Sequence, residues 1–182
     1  MSTLKVNAIE KKDADQTLTV KDATLTGATI TTGTFPAGHI LQVEYEQDNS
    51  FYTTSLSTWT QKHPKTITIT PLKATSNILL TASFGTYCAN TGYAVYDFYK
   101  NATDVTETYN VTGLTYGLVA TEYHSNTWSN HVTMTWLDPV TENSTSTKTY
   151  GISVRHSAGT QAVYVGWGAS QLLTITAMEI AG

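Results

Sequence analysis

Acidic side chains offer the first chemistry to look for in this chain. Glycoside cleavage needs one carboxyl to donate a proton and a second to serve as base or nucleophile, and Asp97, Asp104, Glu107, Glu122 and Asp138 are the best candidates for such a pair. Asp97, however, lies inside the aromatic run GYAVYDFYKN, where a buried, hydrogen-bonded structural acid is the simpler expectation. The histidines His39, His63, His124, His131 and His156 raise the question of a metal, since imidazole is a common ligand. His124 and His131 flank a polar stretch and are expected at the facing ends of adjacent strands, but no HxH or HxxxH spacing accompanies them. Ordinary surface or core histidines are the reading adopted. Serines are abundant without a G-x-S-x-G elbow, and no glycine-rich phosphate loop precedes a helix. The chain is therefore read as non-enzymatic, with no cofactor and no metal.

Aromatic side chains in polar loops carry more information. Tyr123, His124, Asn126, Trp128 and His131 fall in EYHSNTWSNH, Tyr87, Asn90 and Tyr93 in YCANTGY, and Tyr52 and Trp59 in a third polar stretch. Rings of this kind stack on the apolar faces of sugars while amides and hydroxyls exchange hydrogen bonds with sugar hydroxyls, and loops on a rigid scaffold are where binding is usually placed. Tyr87, Asn90, Tyr93, Tyr123, His124, Asn126, Trp128 and His131 are the candidate receptor contacts. The same rings suit a subunit interface, where Tyr and Trp are also enriched, and both readings stay open at this point.

The elements that must position these residues are strands. TITIT (66–70) alternates with period two before Pro71, and NILLTASFGTY (77–87) puts Ile78, Leu80, Ala82 and Phe84 on one face. HVTMTWLD (131–138) groups Val132, Met134 and Trp136, and TYGISVRH (149–156) groups Tyr150, Ile152 and Val154. Further strands are expected at 40–47, 92–101, 116–124, 161–168 and 172–180, with Ser157-Ala158-Gly159 as a hairpin-like turn. Eight or nine strands without an amphipathic helix indicate an all-β fold, a jelly-roll-like β-sandwich.

Composition agrees with that class. Threonine supplies about a fifth of the chain, charged residues only 13%, and β-branched and aromatic side chains favour pleated, half-buried surfaces. A formal net charge of -4 with ten Lys and Arg argues against nucleic acid, which calls for a basic stripe. The lone Cys88 has no partner for an intrachain disulfide. No apolar run reaches the roughly 18 residues of a membrane span, and MSTLKVNAIEKKDADQ lacks the apolar stretch of a signal peptide, so synthesis in a cytoplasm is expected. Residues 1–36 contain no Trp or Tyr, and in DQTLTVKDATLTGATITTGTF threonine recurs at nearly every second position. A single copy of such a segment buries too little apolar area to offset its ordering entropy, which points to intertwining with sister chains. The boundary is placed at Phe35-Pro36-Ala37-Gly38, dividing an N-terminal attachment segment and stem (1–36) from a head (37–182).

The segments MSTLKVNAIE, TITITPLKATSNILLTAS, YDFYKNATDV, TWLDPVTENSTSTKTYGISVRHSAG and LTITAMEIAG resemble the fibre and receptor-binding-type virion structural proteins of marine tailed phages, including those of cyanobacteria. The likeness runs over most of the chain. It implies an N-terminal segment that anchors to the virion, for which Leu4, Val6 and Ile9 are the candidate attachment residues. It further implies a slender trimeric stem and a terminal β-sandwich that faces a bacterial surface glycan. The expected partners are thus two sister chains, other virion proteins and the glycan, with no nucleic acid and no membrane. A typical tail fibre carries a longer shaft than 36 residues, so tail, adaptor fibre and capsid remain open as docking places, the last making the chain a head fibre or decoration protein.

Overall fold

The structure, a computed structural model, describes residues 37–50, 52–58, 62–88, 92–100, 117–123, 129–138, 144–157, 162–166 and 172–182. The expected stem and Leu4, Val6 and Ile9 lie outside them. Every regular element among the described residues is a β-strand: β1 (Ile40–Asp48), β2 (Tyr52–Thr54), β3 (Lys62–Ile69), β4 (Asn77–Cys88), β5 (Gly92–Lys100), β6 (Val119–Tyr123), β7 (Ser129–Asp138), β8 (Lys148–His156), β9 (Val163–Val165) and β10 (Leu173–Ile180). Their alternating apolar residues are the reason, and β10 shows the rule most clearly, with every second residue from Leu173 to Glu179 buried.

Two antiparallel sheets result. In sheet A the order is β1-β10-β4-β9-β2, with β7 on the other edge of β4. In sheet B it is β3-β8-β5-β6. The core lies between them: Ile78, Leu80, Ala82 and Phe84 of β4, Val132 and Met134 of β7, and Leu173, Ile175 and Ala177 of β10 meet Ile67, Ile69, Ala94, Tyr96, Phe98, Tyr150, Ile152 and Val154 of sheet B. Trp136 packs against this cluster from a partly buried position. Phe84 and Tyr96 join the sheets edge-to-face at 5.1 Å. The Tyr96 hydroxyl is bonded to Thr86 Oγ1, which in turn donates to the Tyr164 carbonyl at 2.8 Å, so a buried phenol is satisfied without a charge.

Four sequence expectations are corrected. Tyr52, expected in a polar loop, lies on the short strand β2, and β3 begins at Lys62 rather than near residue 66. The early part of β3 contains Pro64, which has no N–H for the ladder, and the β3–β8 register shifts between Lys62 and Thr66. The hairpin expected between β8 and β9 does not form, because β8 belongs to sheet B and β9 to sheet A. Nor do His124 and His131 flank paired strands: β6 pairs with β5 and β7 with β4, in different sheets.

Sheet B is buried on both sides at its centre. Asp97, Ser153 and Arg155 alternate with the core residues of β5 and β8 and are nonetheless buried. Asp97 Oδ1 accepts the Phe98 N–H at 2.7 Å, the Asp97 carbonyl accepts the Ser153 hydroxyl at 3.2 Å, and Arg155 Nη1 donates to the Ser57 carbonyl at 3.2 Å. Gly151 is required here, since a Cβ at that position would overlap the Tyr99 ring.

A carboxylate holds the end of sheet A. Glu179 lies on the core side of β10 and is fully buried. Its carboxylate accepts the Leu72 N–H at 2.9 Å, the Lys73 N–H at 3.1 Å and Gln42 Nε2 at 2.6 Å. Burial alone would raise its pKa, but the Leu72 N–H, the Lys73 N–H and Gln42 outweigh it and hold the carboxyl below its ordinary range. The PLKATS turn, the β4 that follows it and the C-terminal MEIAG are thereby one unit.

Candidate recognition site

Alternation along the strands decides which face each aromatic residue meets. In β4, Ile78 through Cys88 point inward at even numbers, so Tyr87 points out of sheet A. Its neighbour is Tyr164 of β9, directly opposite in register, with ring centroids 5.5 Å apart and planes inclined by 44°. Thr53 of β2 stands across from Tyr164 on the same face. His131 of β7 opens on this face as well, where Nε2 and Ser83 Oγ are hydrogen-bonded at 2.7 Å. Tyr93, by contrast, alternates with the core residues Ala94, Tyr96 and Phe98 and therefore lies on the outer face of sheet B, 43% exposed.

The expected YCANTGY cluster is thus divided between opposite sides of the head. Tyr87 and His131 are brought to one face and Tyr93 is not. Tyr123 closes β6 opposite Gly92 in sheet B. Asn90, His124, Asn126 and Trp128 fall outside the described residues.

A cleft of about 360 Å³ is lined by Thr53, which stands opposite Tyr164, and by Thr54, Ser55, Leu56 and Ala162. Its wall is tied to the sandwich at several points. Thr54 Oγ1 accepts the Leu56 N–H at 3.2 Å, the Leu56 carbonyl accepts the His156 N–H at 2.9 Å, and Ser57 receives Arg155. The cleft wall beyond β2 is thus tied down through Thr54 and through the Leu56 and Ser57 carbonyls, which reduces the ordering cost of binding there. Sequence reasoning missed Tyr164 because QAVYVGWG reads as an ordinary strand; the signal was a tyrosine alternating with the inward residues Val163 and Val165.

Among the described residues the candidate carboxylates do not assemble. Asp138 is buried, accepts the Tyr150 hydroxyl at 2.6 Å and pairs with Lys100 at 3.0 Å. Asp97 is on the far side of sheet B, and Glu122 is exposed on β6. Asp104 and Glu107 lie outside the described residues. Among the described residues no cluster of three His, Cys, Asp or Glu side chains is arranged to hold a metal ion.

His63 is a core histidine behind this region. It is fully buried, its ring meets Tyr52 edge-on at 5.6 Å, and Nδ1 accepts the Lys65 N–H at 3.1 Å. Burial lowers its pKa to about 4, against a smaller upward pull from Asp48. The unfolded chain therefore binds a proton that the folded chain refuses between pH 6.5 and about 4. Stability should fall on acidification through that window, by about 3 kcal/mol in all, and His63→Asn should flatten the slope because its amide oxygen can still accept the Lys65 N–H. Urea unfolding at pH 7, 5.5 and 4.5 checks this; equal slopes in both proteins would refute it.

Comparison with protein-family models found no match to this chain, and comparison with curated proteins found none either.

Proposed function

We propose that this chain is a virion fibre protein of a tailed bacterial virus, and that its β-sandwich head, displayed as a homotrimer, recognises glycans on the host surface. The observation that carries the reading is the Tyr87–Tyr164 ring pair on the outer face of sheet A, with Thr53, opposite Tyr164, also lining a cleft. Tyrosine offers a sugar a flat apolar face and a hydroxyl at little entropic cost.

The strand order supports a jelly-roll head. With β2 and β9 set aside, the remaining strands, counted in chain order, pair as first-eighth-third-sixth in one sheet and second-seventh-fourth-fifth in the other, the arrangement produced by two Greek keys. The threonine-rich segment 1–36 supports a stem, since its alternation suits strand pairing and its apolar content suits sharing among copies. Weak contacts from three heads on one fibre would reinforce one another through effective concentration.

Gold-labelled antibody against the head should decorate particles, and light scattering of the full-length chain should report three copies. Deleting residues 1–36 should leave a folded head that no longer enters particles. Unlabelled particles, a monodisperse full-length monomer, or incorporation of the truncated head would each overturn the assignment.

A further inference from the structure

We infer that the recognition site continues from the tyrosine pair across the outer face of sheet A and accepts a neutral, extended polysaccharide; this rests on the glycan-recognition reading above. Strand register lays out parallel rows on that face, two of them rich in hydroxyls and a third, Val43, Met178, Leu79 and Leu137, apolar. One hydroxyl row runs Tyr45, Thr176, Thr81, Thr135 across β1, β10, β4 and β7, and the next runs Gln47, Thr174, Ser83, Thr133. Neighbours within a row stand about 4.8 Å apart and the rows are about 6.8 Å apart, as strand geometry dictates. The array ends at His131 and the Tyr87–Tyr164 pair, about 20 Å along β4 from the first row at some 3.4 Å per residue.

These side chains are already tied to one another. Ser83 Oγ contacts His131 Nε2 at 2.7 Å and Thr133 Oγ1 at 3.4 Å, and Gln47 Nε2 donates to Thr174 Oγ1 at 3.4 Å. A grid of threonines presents methyl groups and hydroxyls in alternation, the same mixture that a pyranose presents on its face and rim. Tyr45, 55% exposed, stands at the edge of the first row as a second stacking platform.

Charge selects the occupant. Among the described residues, the outward positions of β1 (43, 45, 47), β4 (79, 81, 83, 85, 87), β7 (131, 133, 135, 137) and β10 (174, 176, 178) include no Lys, Arg, Asp or Glu. Recognition of sialic, uronic or sulfated sugars would call for guanidinium or ammonium partners, which this face lacks. A neutral chain loses no ionic hydration here and gains contacts in proportion to the length that lies along the rows.

The test is a glycan array carrying neutral oligosaccharides of graded length beside sialylated, uronic and sulfated ones, probed with the full-length chain. Signal should rise with length on neutral glycans. Thr133→Glu/Thr135→Glu should weaken it about tenfold or more, as loss of roughly 1.4 kcal/mol does, while Thr68→Glu at an exposed position of β3 should not; Thr135→Val, which keeps shape and removes a hydroxyl, should give a smaller loss. Thermal melting shows that each variant is folded. Neutral binding that ignores length and the threonine substitutions, yet is lost in Tyr164→Ala, would overturn the extended site and leave the glycan reading standing. Preference for acidic glycans would do the same. No glycan bound by the folded chain would remove both, and a change of oligomeric state in Thr133→Glu/Thr135→Glu without any glycan signal would assign the face to a second copy instead.

Discussion

Glu179→Ala should lower the unfolding free energy by about 3–5 kcal/mol, the scale expected when a buried, charged acceptor is removed from several donors. The Leu72 and Lys73 N–H groups and Gln42 would lose their acceptor together, and β10 would lose its tie to the turn before β4. Glu179→Gln, which keeps the volume but turns an amide N–H toward backbone N–H groups, should recover only part of this. Because the folded carboxyl is held below its ordinary range, its contribution is present above that range and is lost as pH falls through the folded pKa. Acid unfolding should therefore show two steps of different origin, with His63 acting from about pH 6.5 downward and Glu179 at lower pH. Urea denaturation of the three proteins at neutral pH is the check. A Glu179→Ala cost below about 1 kcal/mol, the size of an ordinary surface change, would mean that the turn holds itself.

The second large effect is on binding. Tyr87→Ala/Tyr164→Ala should leave the melting temperature nearly unchanged, since neither ring belongs to the core cluster, while weakening host-cell binding about tenfold per head at the usual worth of aromatic stacking. If three heads engage together on one fibre, as proposed, particle adsorption should fall further than this, because the losses multiply. Tyr93→Ala is the matched control on the opposite sheet and should bind normally. Equal losses from Tyr93→Ala and the double substitution would dissolve the distinction between the two faces.

These expectations depend on features that were unequally legible in the sequence. The alternation of Ile78, Leu80, Ala82 and Phe84, of Val132, Met134 and Trp136, and of Tyr150, Ile152 and Val154 was readable directly, because a half-buried strand writes its inward face at every second position. Sheet membership was not: EYHSNTWSNH looks like a hairpin connection, but the chain passes there from sheet B to sheet A. Local polarity cannot distinguish the two, since pairing is decided by partners far away in sequence. The same limit hid Glu179, whose donors Leu72 and Lys73 lie more than a hundred residues before it. Ser153 and Arg155 read as solvent-facing by alternation and are buried because sheet B is covered on both sides at its centre. In the candidate site, Tyr87 and His131 were identifiable by type and neighbourhood. Tyr164 and the hydroxyl rows were not, because they become a surface only when β9, β10, β4 and β7 are placed side by side.

If the head itself recognises the host, competition measures this without intermediaries. Host cells are incubated with excess purified full-length chain before particles are added, and free particles are counted over time. Saturable inhibition of adsorption is expected from the folded chain, and little or none from Tyr87→Ala/Tyr164→Ala. A folded chain that neither binds the cells nor slows adsorption would contradict it.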